Sequence, residues 1–361
     1  MKLLFFTDCS SGVIGYHVDH VRAIKKAGVD VHAVVSSKEL EHGLIASIAV
    51  DNIPILELEG LECHQHFWKH VRAVYKYVKE NGIDNVHVQT NWQLIMVAIV
   101  RMCLLLHNHV SITYTIHAFR HNHPKKSFIA RVVIGFLLFL FADKVIYTCT
   151  FLKEKFSWLN YKMHCVPLGV SELFHDESLY LHQTGLYIIF PAAFRYGKNQ
   201  EMILKAFAEF LQKTSDEKSF VILPGTGDRL DTVKQYAQSL GISDRVYFPG
   251  YCSCEVLCEL ERKCNIAVIP TNSETYGLCI VEPFVLGKCI LTRNVGVASD
   301  IIKESENGFY FENHIDLAQK LIFLSQNMDL ISQIAERNYM QKKQFSWDVI
   351  VRTKYLPIYN K

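Results

Sequence analysis

Residues 269 to 290 read I-P-T-N-S-E-T-Y-G-L-C-I-V-E-P-F-V-L-G-K-C-I, and they form the most informative segment of the chain. The apolar run that ends at Ile269 predicts a buried parallel strand, and residues 270 to 273 are the polar turn that ends it. The spacing of the apolar residues then predicts a helix from Thr275 to Leu286, with Gly287 as its C-terminal stop. The stretch therefore predicts one strand, turn and helix of an α/β sheet.

Two glutamates flank the start of this predicted helix. Glu274 comes just before it, and Glu282 lies eight residues later, about two helical turns further on. The free N–H groups of Tyr276, Gly277 and Leu278 are expected to point out of the helix N-terminus, where the positive end of the macrodipole also lies. Such an end binds anions, and Glu282 is placed to accept hydrogen bonds from a diol beside a bound phosphate. We therefore predict a site for a nucleotide-linked sugar.

The spacing of the two glutamates resembles the E-x-F-G-x4-E signature of the retaining GT-B glycosyltransferases of family 4. Tyr276 stands at the aromatic position of that signature, and Gly277 is in place. The resemblance implies an α/β GT-B fold, with two Rossmann-like doubly wound domains facing across a cleft and a C-terminal helix that crosses back to the first domain. It also implies a nucleoside diphosphate sugar as donor substrate, with neither a cofactor nor a metal.

Composition is that of an ordinary folded protein. The 361 residues allow two domains with a core each, and 38 Lys and Arg residues nearly balance 36 Asp and Glu residues. No long basic block occurs, which argues against a nucleic-acid partner. The N-terminal sequence M-K-L-L-F-F is too short an apolar run for a signal peptide.

The 11 cysteines are an odd count without paired spacing, which favours reduced thiols and a cytoplasmic protein. A zinc site stays open as an alternative at one group of thiols, although C-x2-C pairs are missing there. That group is Cys252, Cys254, Cys258 and Cys264.

The order of predicted elements gives the domain boundaries. Strands and helices alternate through residues 1–175, a stretch without periodicity at 171–185 is the predicted linker, and residues 186–344 form the second domain. F-S-W-D at 345 to 348 resembles the start of the final helix in the family. Residues 345–361 are therefore predicted to pack back on the first domain.

The first domain opens with a right-handed βαβ unit, and small residues lie in the loop between its first strand and helix. Gly12 and Gly15 allow the backbone to approach a phosphate there. The spacing is not G-x-G-x-x-G, and Asp30 comes too early for a ribose-binding acid, which disfavours an NAD oxidoreductase. In the family, a glycine-rich loop at this place faces the donor, so the resemblance implies donor contacts for both glycines.

His117 directly follows a predicted strand, in T-I-H-A-F-R-H-N-H. Carboxyl ends of strands hold ligands in open α/β sheets. Family members carry a histidine at this point, and the resemblance implies that His117 contacts the donor sugar. A structural role for His117 or a metal site with His121 and His123 are the alternatives.

The second domain carries the basic residues expected at a diphosphate. Lys198-Asn199 matches the family pattern G-R-x4-K-G/N, in which the arginine and the lysine hold the diphosphate. The arginine position of that pattern is Ala193 here, so Arg195 reaches the phosphate only if its flexible side chain covers the difference. P-G-T-G-D resembles the glycine turn of the family beside the nucleotide base and contributes Gly225.

By resemblance, Lys198, Arg195, Glu274 and His117 are the catalytic residues, and Glu282 binds the ribose. The other residues implied to contact substrate are Thr275, Tyr276, Gly277, Leu278, Gly225, Gly12 and Gly15. We expect a retaining glycosyltransferase whose acceptor is a hydroxyl of a lipid-linked oligosaccharide or a cell-surface polysaccharide precursor at the cytoplasmic membrane face. A nucleotide-sugar epimerase and a non-catalytic protein that binds sugar nucleotides are the alternatives.

One apolar segment has two interpretations. Residues 132 to 142 are too few to span a bilayer as a helix. We prefer a helix buried in the first domain, and the alternative is a helix that rests on a membrane surface.

Overall fold

The computed structural model describes residues 1–7, 14–36, 51–61, 66–104, 110–117, 124–175, 178–179 and 184–360. The chain divides into two units, residues Met1–Ser171 with Ser346–Lys361, and residues Glu172–Phe345. Each unit is a Rossmann-like α/β domain on a parallel sheet, so the predicted fold class is confirmed. Within the described residues, no helix combines the length and the apolar character needed to cross a membrane.

The first unit holds a sheet of seven parallel strands in the order β3-β2-β1-β4-β5-β6-β7. The strands are β1 (Lys2–Phe6), β2 (Asp30–Ser36), β3 (Ile55–Leu58), β4 (Asn85–Val88), β5 (Ser111–Ile116), β6 (Lys144–Tyr147) and β7 (Met163–Cys165). The helices are α1 (Ile14–Lys26), α2 (Phe67–Asn81), α3 (Asn91–Leu104), α4 (Pro124–Phe141) and α5 (Thr150–Lys153), followed by a 3₁₀ helix (Glu154–Lys162). Leu3 to Phe6 are fully buried in β1, as expected for a strand covered by helices on both faces.

The interpretation of residues 132 to 142 as a buried helix is wrong. The segment forms the C-terminal part of the longer helix α4, with Ala142 directly after it, and among residues 132 to 142 only Gly135, Leu138 and Ala142 are buried. The opposite face is as apolar as the buried face, so the hydrophobic pattern does not distinguish them. Its exposed side chains are Val132, Val133, Phe136, Phe139 and Leu140.

The second unit holds a sheet of six parallel strands in the order β10-β9-β8-β11-β12-β13. The strands are β8 (Tyr187–Ile189), β9 (Phe220–Ile222), β10 (Val246–Tyr247), β11 (Ile266–Ile269), β12 (Cys289–Thr292) and β13 (Gly308–Tyr310). The helices are α6 (Gln200–Thr214), α7 (Leu230–Ser239), α8 (Cys254–Arg262), α9 (Leu278–Val285), α10 (Ala298–Ile301), α11 (His314–Ser325) and α12 (Met328–Met340). Short 3₁₀ helices cover Glu172–Phe174, Ser243–Arg245 and Lys342–Phe345.

The C-terminal segment is helical and belongs to the first unit. It runs through α13 (Trp347–Ile350), a π-helical stretch (Val351–Tyr355) and α14 (Leu356–Tyr359). Trp347 is buried and stacks on the His20 ring of α1, with ring centroids 4.3 Å apart. A Cβ atom at Gly169 would lie 2.5 Å from the Trp347 ring, which explains the glycine of the P-L-G-V turn.

Candidate functional site

The strand order of the second sheet locates a crevice between β8 and β11. From β8 the chain proceeds outward through β9 to β10, and it then returns to β11 and proceeds the other way to β13. The loops that leave the carboxyl ends of β8 and β11 therefore diverge, and ligands of open α/β sheets bind at such reversals. The predicted residues Lys198 and Glu274 lie on these two loops.

Hydrogen bonds join these two loops. The Asn272 amide donates to the Gly197 carbonyl at 2.9 Å, and the Thr271 hydroxyl donates to the same carbonyl at 3.2 Å. The Asn199 side-chain amide donates to the Pro270 carbonyl at 3.0 Å. These bonds fix the backbone on both sides of the crevice before any ligand binds.

The Lys198 ammonium contacts the Glu274 carboxylate within this frame. Both side chains are largely buried, with 11% and 16% of their surface exposed. A partly buried pair of this kind interacts more strongly than an exposed pair because less water screens it. The structure therefore brings together two of the four residues predicted to be catalytic, although their roles stay predictions.

Helix α9 begins later than the sequence predicts. Gly277 has a left-handed backbone, with a φ of 97°, and this conformation ends the turn so that the first helical residue is Leu278. The carbonyl of the preceding Tyr276 accepts a hydrogen bond from the Val297 amide at 2.7 Å. The amides of Leu278 and Cys279 have no acceptor within the helix because they lie in its first turn. The predicted anion site at the start of α9 therefore lies nearer to Leu278 than to Tyr276.

Glu282 lies on α9 with a partly buried side chain, and burial raises the pKa of its carboxyl to about 7. The carboxyl of Glu261 on α8 is fully buried, and neither of its oxygens has a hydrogen-bond partner within the described part of the chain. Burial first, and then the nearby Glu282 carboxylate, raise the pKa of Glu261 well above its usual value. These two residues form an acid pair that cannot ionise fully at neutral pH.

Lys288 completes the surroundings of the acid pair. Its buried ammonium donates to the Arg262 carbonyl at 2.8 Å, and burial lowers its pKa to about 8. Neither Glu261 nor Lys288 was predicted from the sequence. The available signal for Lys288 was its position directly before a mostly apolar strand, in G-K-C-I-L-T.

Two glycines are required where neighbouring loops approach each other. A Cβ atom at Gly225 would lie 2.1 Å from the Ala192 carbonyl oxygen, so the turn after β9 packs directly on the loop after β8. A Cβ atom at Gly296 would lie 2.2 Å from the Tyr276 carbonyl oxygen. Gly225, predicted to contact substrate, thus has a demonstrable packing role.

Arg195 and Thr275 complete the predicted residues of this unit. Arg195 is exposed on the loop after β8, three residues before Lys198, and its carbonyl accepts a hydrogen bond from the Lys198 amide at 3.2 Å. Within the described residues its guanidinium makes no ion pair, so its predicted contact with a phosphate depends on side-chain movement. Thr275 lies in the turn between Glu274 and Tyr276.

His117 belongs to the first unit, at the carboxyl end of β5 as predicted. Its Nε2 atom contacts the side-chain oxygen of Gln89, which follows β4, and burial lowers the pKa of His117 to about 4. The imidazole is therefore neutral at neutral pH. Gln89 was missed by the sequence analysis, although a polar residue directly after a buried strand was the available signal.

The remaining predictions concern two glycines of the first loop and a metal site. Gly12, His121 and His123 lie outside the described residues. Gly15 lies in the first turn of α1, so the prediction that Gly15 is a loop residue is wrong. Helix α1 spans Ile14–Lys26 and therefore includes Gly15. No three His, Cys, Asp or Glu side chains are grouped to hold a metal ion in the part of the chain that the structure describes.

Comparisons with families and relatives agree with this geometry. The family profile Glycosyltransferase Family 4 matches residues 11–172, and the profile Glycosyl transferases group 1 matches residues 173–342. An uncharacterized glycosyltransferase of Methanocaldococcus jannaschii is 24% identical over 354 residues, which cover 94% of this chain and 92% of the relative. The D-inositol 3-phosphate glycosyltransferase of Streptomyces scabiei is 24% identical over 177 residues, which cover 46% of this chain and 40% of the relative.

A second uncharacterized glycosyltransferase of Methanocaldococcus jannaschii is 26% identical over 123 residues, which cover 34% of this chain and 31% of the relative. The matched region thus spans less than half the length of this relative and of the Streptomyces enzyme.

Solved structures share the fold over the full chain. Anabaena HepE in complex with UDP and glucose superposes with a TM-score of 0.78 at 17% identity, and the match covers 100% of both chains. The pneumococcal O-GlcNAc transferase GtfA in complex with UDP and GlcNAc superposes with a TM-score of 0.75 at 10% identity, over 100% of this chain and 99% of the other. With both family profiles matched in succession over residues 11–342, the chain belongs to the GT-B glycosyltransferases of family 4.

Proposed function

We propose that this protein transfers a sugar from a nucleoside diphosphate sugar to a hydroxyl acceptor, with retention of anomeric configuration. The observation that carries the proposal is the contact between Lys198 and Glu274 at the strand-order reversal of the second sheet. A cation held at that point by a partly buried carboxylate, beside the first turn of α9, suits an anionic group.

The proposed reaction breaks the bond between the anomeric carbon and the diphosphate oxygen. Negative charge then develops on the diphosphate, and the Lys198 ammonium and the first amides of α9 stabilise it. Glu274 holds Lys198 in place and orients the sugar, while Arg195 adds a second cation when its exposed side chain turns toward the phosphate. Glu282 accepts hydrogen bonds from the ribose hydroxyls.

Retention follows when the acceptor attacks the face that the diphosphate leaves. The new bond forms between the acceptor oxygen and the anomeric carbon, and the acceptor proton passes to the departing phosphate oxygen. This route needs no separate general base, and burial lowers the pKa of His117 to about 4, which makes its imidazole a weak base and suits binding of the sugar instead.

The donor and acceptor are proposed at the level of class. The structures of HepE and GtfA are complexes with UDP, so uridine diphosphate sugars are the first donors to test. We propose as acceptor a lipid-linked oligosaccharide or a cell-surface polysaccharide precursor at the cytoplasmic membrane face. No nucleic acid is expected to bind, because positive and negative residues are nearly balanced.

The test uses the purified full chain and a panel of nucleoside diphosphate sugars. A donor that raises the melting temperature is then incubated with alkyl-linked sugar acceptors, and products are analysed for linkage and anomeric configuration. Transfer with retention supports the proposal. An inverted product, or donor binding without transfer to any acceptor, contradicts it.

A non-catalytic sugar-nucleotide-binding protein is the second candidate. Ala193 at the family position of the arginine favours it, because one of two diphosphate cations is displaced. Binding of donor with no turnover for any acceptor distinguishes this candidate. An epimerase is distinguished by release of free nucleotide from the donor alone.

A further inference from the structure

An exposed apolar surface lies on α4 of the first unit. Five side chains at helical spacing face away from the domain core, each with between 47% and 56% of its surface exposed. We call these residues the α4 face; they are Val132, Val133, Phe136, Phe139 and Leu140. A contiguous apolar stripe of this kind on a folded domain is typical of an interaction surface.

Two aromatic residues of the following 3₁₀ helix extend the α4 face. The Trp158 ring lies close over Gly135, where an added Cβ atom would be 2.6 Å away, and its centroid is 6.1 Å from that of Phe139. Trp158 is 54% exposed and Tyr161 is 71% exposed. Tryptophan and tyrosine are the side chains that favour the boundary between lipid and water.

Contacts at the C-terminal end of α4 hold this face rigid. The Lys162 ammonium donates to the carbonyls of Leu138 and Phe139 at 2.9 Å and to that of Ala142 at 2.7 Å. Arg101 of α3 donates to the Phe141 carbonyl at 3.1 Å. Two cations therefore interact with carbonyls at the negative end of the helix dipole, and these contacts hold the end of α4 in place.

Charge identifies the partner. Positions 124 to 162 contain seven Lys and Arg residues, of which Lys162 is buried, and two acidic residues. Of these acids, Asp143 is paired with Arg101 at 2.7 Å. A flat partner that accepts apolar and aromatic side chains and also carries negative charge matches this surface, and an anionic lipid bilayer has both properties.

We propose that the α4 face, with Trp158 and Tyr161, docks the protein on the surface of a bilayer that contains anionic lipid. A second copy of the chain is disfavoured, because a two-fold contact would set two copies of this positively charged segment against each other. This docking surface extends the proposed function. It rests on that function in one respect, because a lipid-linked acceptor is the reason for the protein to stay at a membrane.

Vesicle sedimentation with the full chain tests the docking surface without donor or acceptor. We expect binding to phosphatidylcholine vesicles that contain about one third phosphatidylglycerol, and about tenfold weaker binding to pure phosphatidylcholine. Phe136→Gln with Phe139→Gln should weaken binding by about tenfold or more. The matched control is Ile315→Gln with Phe323→Gln on α11, where the exposed fractions of 51% and 45% are similar and binding should not change.

Trp158 supplies a second measurement. Lipids with brominated acyl chains should quench its fluorescence on binding, and the quenching should be lost in Trp158→Phe. Absence of wild-type binding, or equal loss in the α11 control, overturns the inference. A third result also overturns it: the α4 variant binds vesicles like wild type but has a different sedimentation coefficient in lipid-free solution. The α4 face would then be a contact between copies of the chain.

Sugar transfer to a short water-soluble acceptor separates this inference from the proposed function. The α4 variant should retain that transfer while losing vesicle binding. Transfer by a wild-type protein that does not bind vesicles overturns the docking surface alone. Vesicle binding by a protein that transfers no sugar overturns the proposed function alone.

Discussion

The Lys198 ammonium contacts the Glu274 carboxylate across the strand-order reversal of the second sheet, although the two residues are far apart in sequence. Each side chain is largely buried, so loss of one charge leaves the other with poor solvation. The pair thus holds a cation in a fixed position before any donor binds. Preorganisation of this kind is the largest single contribution to catalysis in many enzymes.

Lys198→Met should lower kcat for sugar transfer by about 100-fold, since the apolar stem is kept and only the charge that stabilises the diphosphate is lost. The KM for the donor should change much less, because the charge acts mainly in the transition state. Steady-state kinetics with the best donor provide the measurement. Lys205→Met on α6, an exposed position, is the matched control. An unchanged kcat in Lys198→Met would remove Lys198 from the mechanism.

Donor affinity should rise with pH through about 7, because burial raises the pKa of Glu282 to about 7 and the ionised carboxylate is the better acceptor for ribose hydroxyls. Titration calorimetry should give a donor Kd about tenfold larger at pH 6 than at pH 8. Glu282→Gln should bind more weakly at pH 8 and lose this pH dependence. Glu336→Gln, at an exposed position of α12, should retain it. A pH-dependent Kd in Glu282→Gln would assign the titration to another group.

Glu261→Gln should stabilise the second unit at high pH. The pKa of Glu261 in the folded state is raised above its value in the unfolded chain, so the folded form binds more protons. The stability that this proton provides is fully present below about pH 4.5, and it is lost as pH rises. A glutamine at this position cannot ionise and avoids the loss. Hydrogen exchange of α8 and α9 should show the variant gaining about 2 kcal/mol over wild type between pH 5 and pH 8.

Glu259→Gln is the control for this prediction, because Glu259 lies on the same helix with an exposed side chain. It should show no such gain. The same Glu261 variant should leave the midpoint of the donor-affinity profile near 7, because burial alone raises the pKa of Glu282 and Glu261 is already protonated in that range. A midpoint that falls well below 7 would mean that Glu261 carries a negative charge beside Glu282.

Much of the second unit follows from local pattern. The apolar run of β11, the polar turn after it and the spacing of Glu274 and Glu282 identify a ligand site, because parallel strands present their loops at one edge. The contact between Lys198 and Glu274 follows from strand order, which the alternation of strands and helices constrains. The exact start of α9 does not follow, since the left-handed conformation of Gly277 depends on packing with the loop after β12.

Burial of charge and exposure of apolar residues are the features that sequence pattern did not predict. Glu261 is one of several charged residues on a short helix, and periodicity cannot tell which of them faces Glu282. On α4 the opposite problem arises, because apolar residues surround the helix and only the position of the sheet decides which face is covered. Both cases require knowledge of tertiary packing that a local window does not contain.

Gly225→Ala should destabilise the second unit and weaken donor binding. The added Cβ would lie 2.1 Å from the Ala192 carbonyl oxygen, so the loop after β8 that carries Lys198 must move. Gly241→Ala is the matched control, because that glycine also has a positive φ but no atom lies within 4 Å of an added Cβ. We expect Gly225→Ala to lower the free energy of unfolding by about 2 kcal/mol more than the control. Equal effects would show that the loops adapt without strain.

His20→Phe should relieve an acid sensitivity of the first unit. The His20 ring is fully buried, neither of its nitrogens has a hydrogen-bond partner within the described residues, and its stacking on Trp347 suits a neutral ring. Burial first, and then the nearby histidines His87, His17 and His117, lower the pKa of His20 well below 6.5. The unfolded chain therefore binds a proton below about 6.5 that the folded chain does not, and stability falls as pH falls.

At pH 5 this proton should cost wild type about 2 kcal/mol relative to pH 8, and His20→Phe should not incur that loss. Urea unfolding followed by tryptophan fluorescence measures it, because all four tryptophans, Trp68, Trp92, Trp158 and Trp347, lie in the first unit. Any change in packing from the larger ring affects both pH values alike and cancels in the comparison. If wild type and variant lose stability equally between pH 8 and pH 5, the buried neutral His20 is not the source of the acid sensitivity.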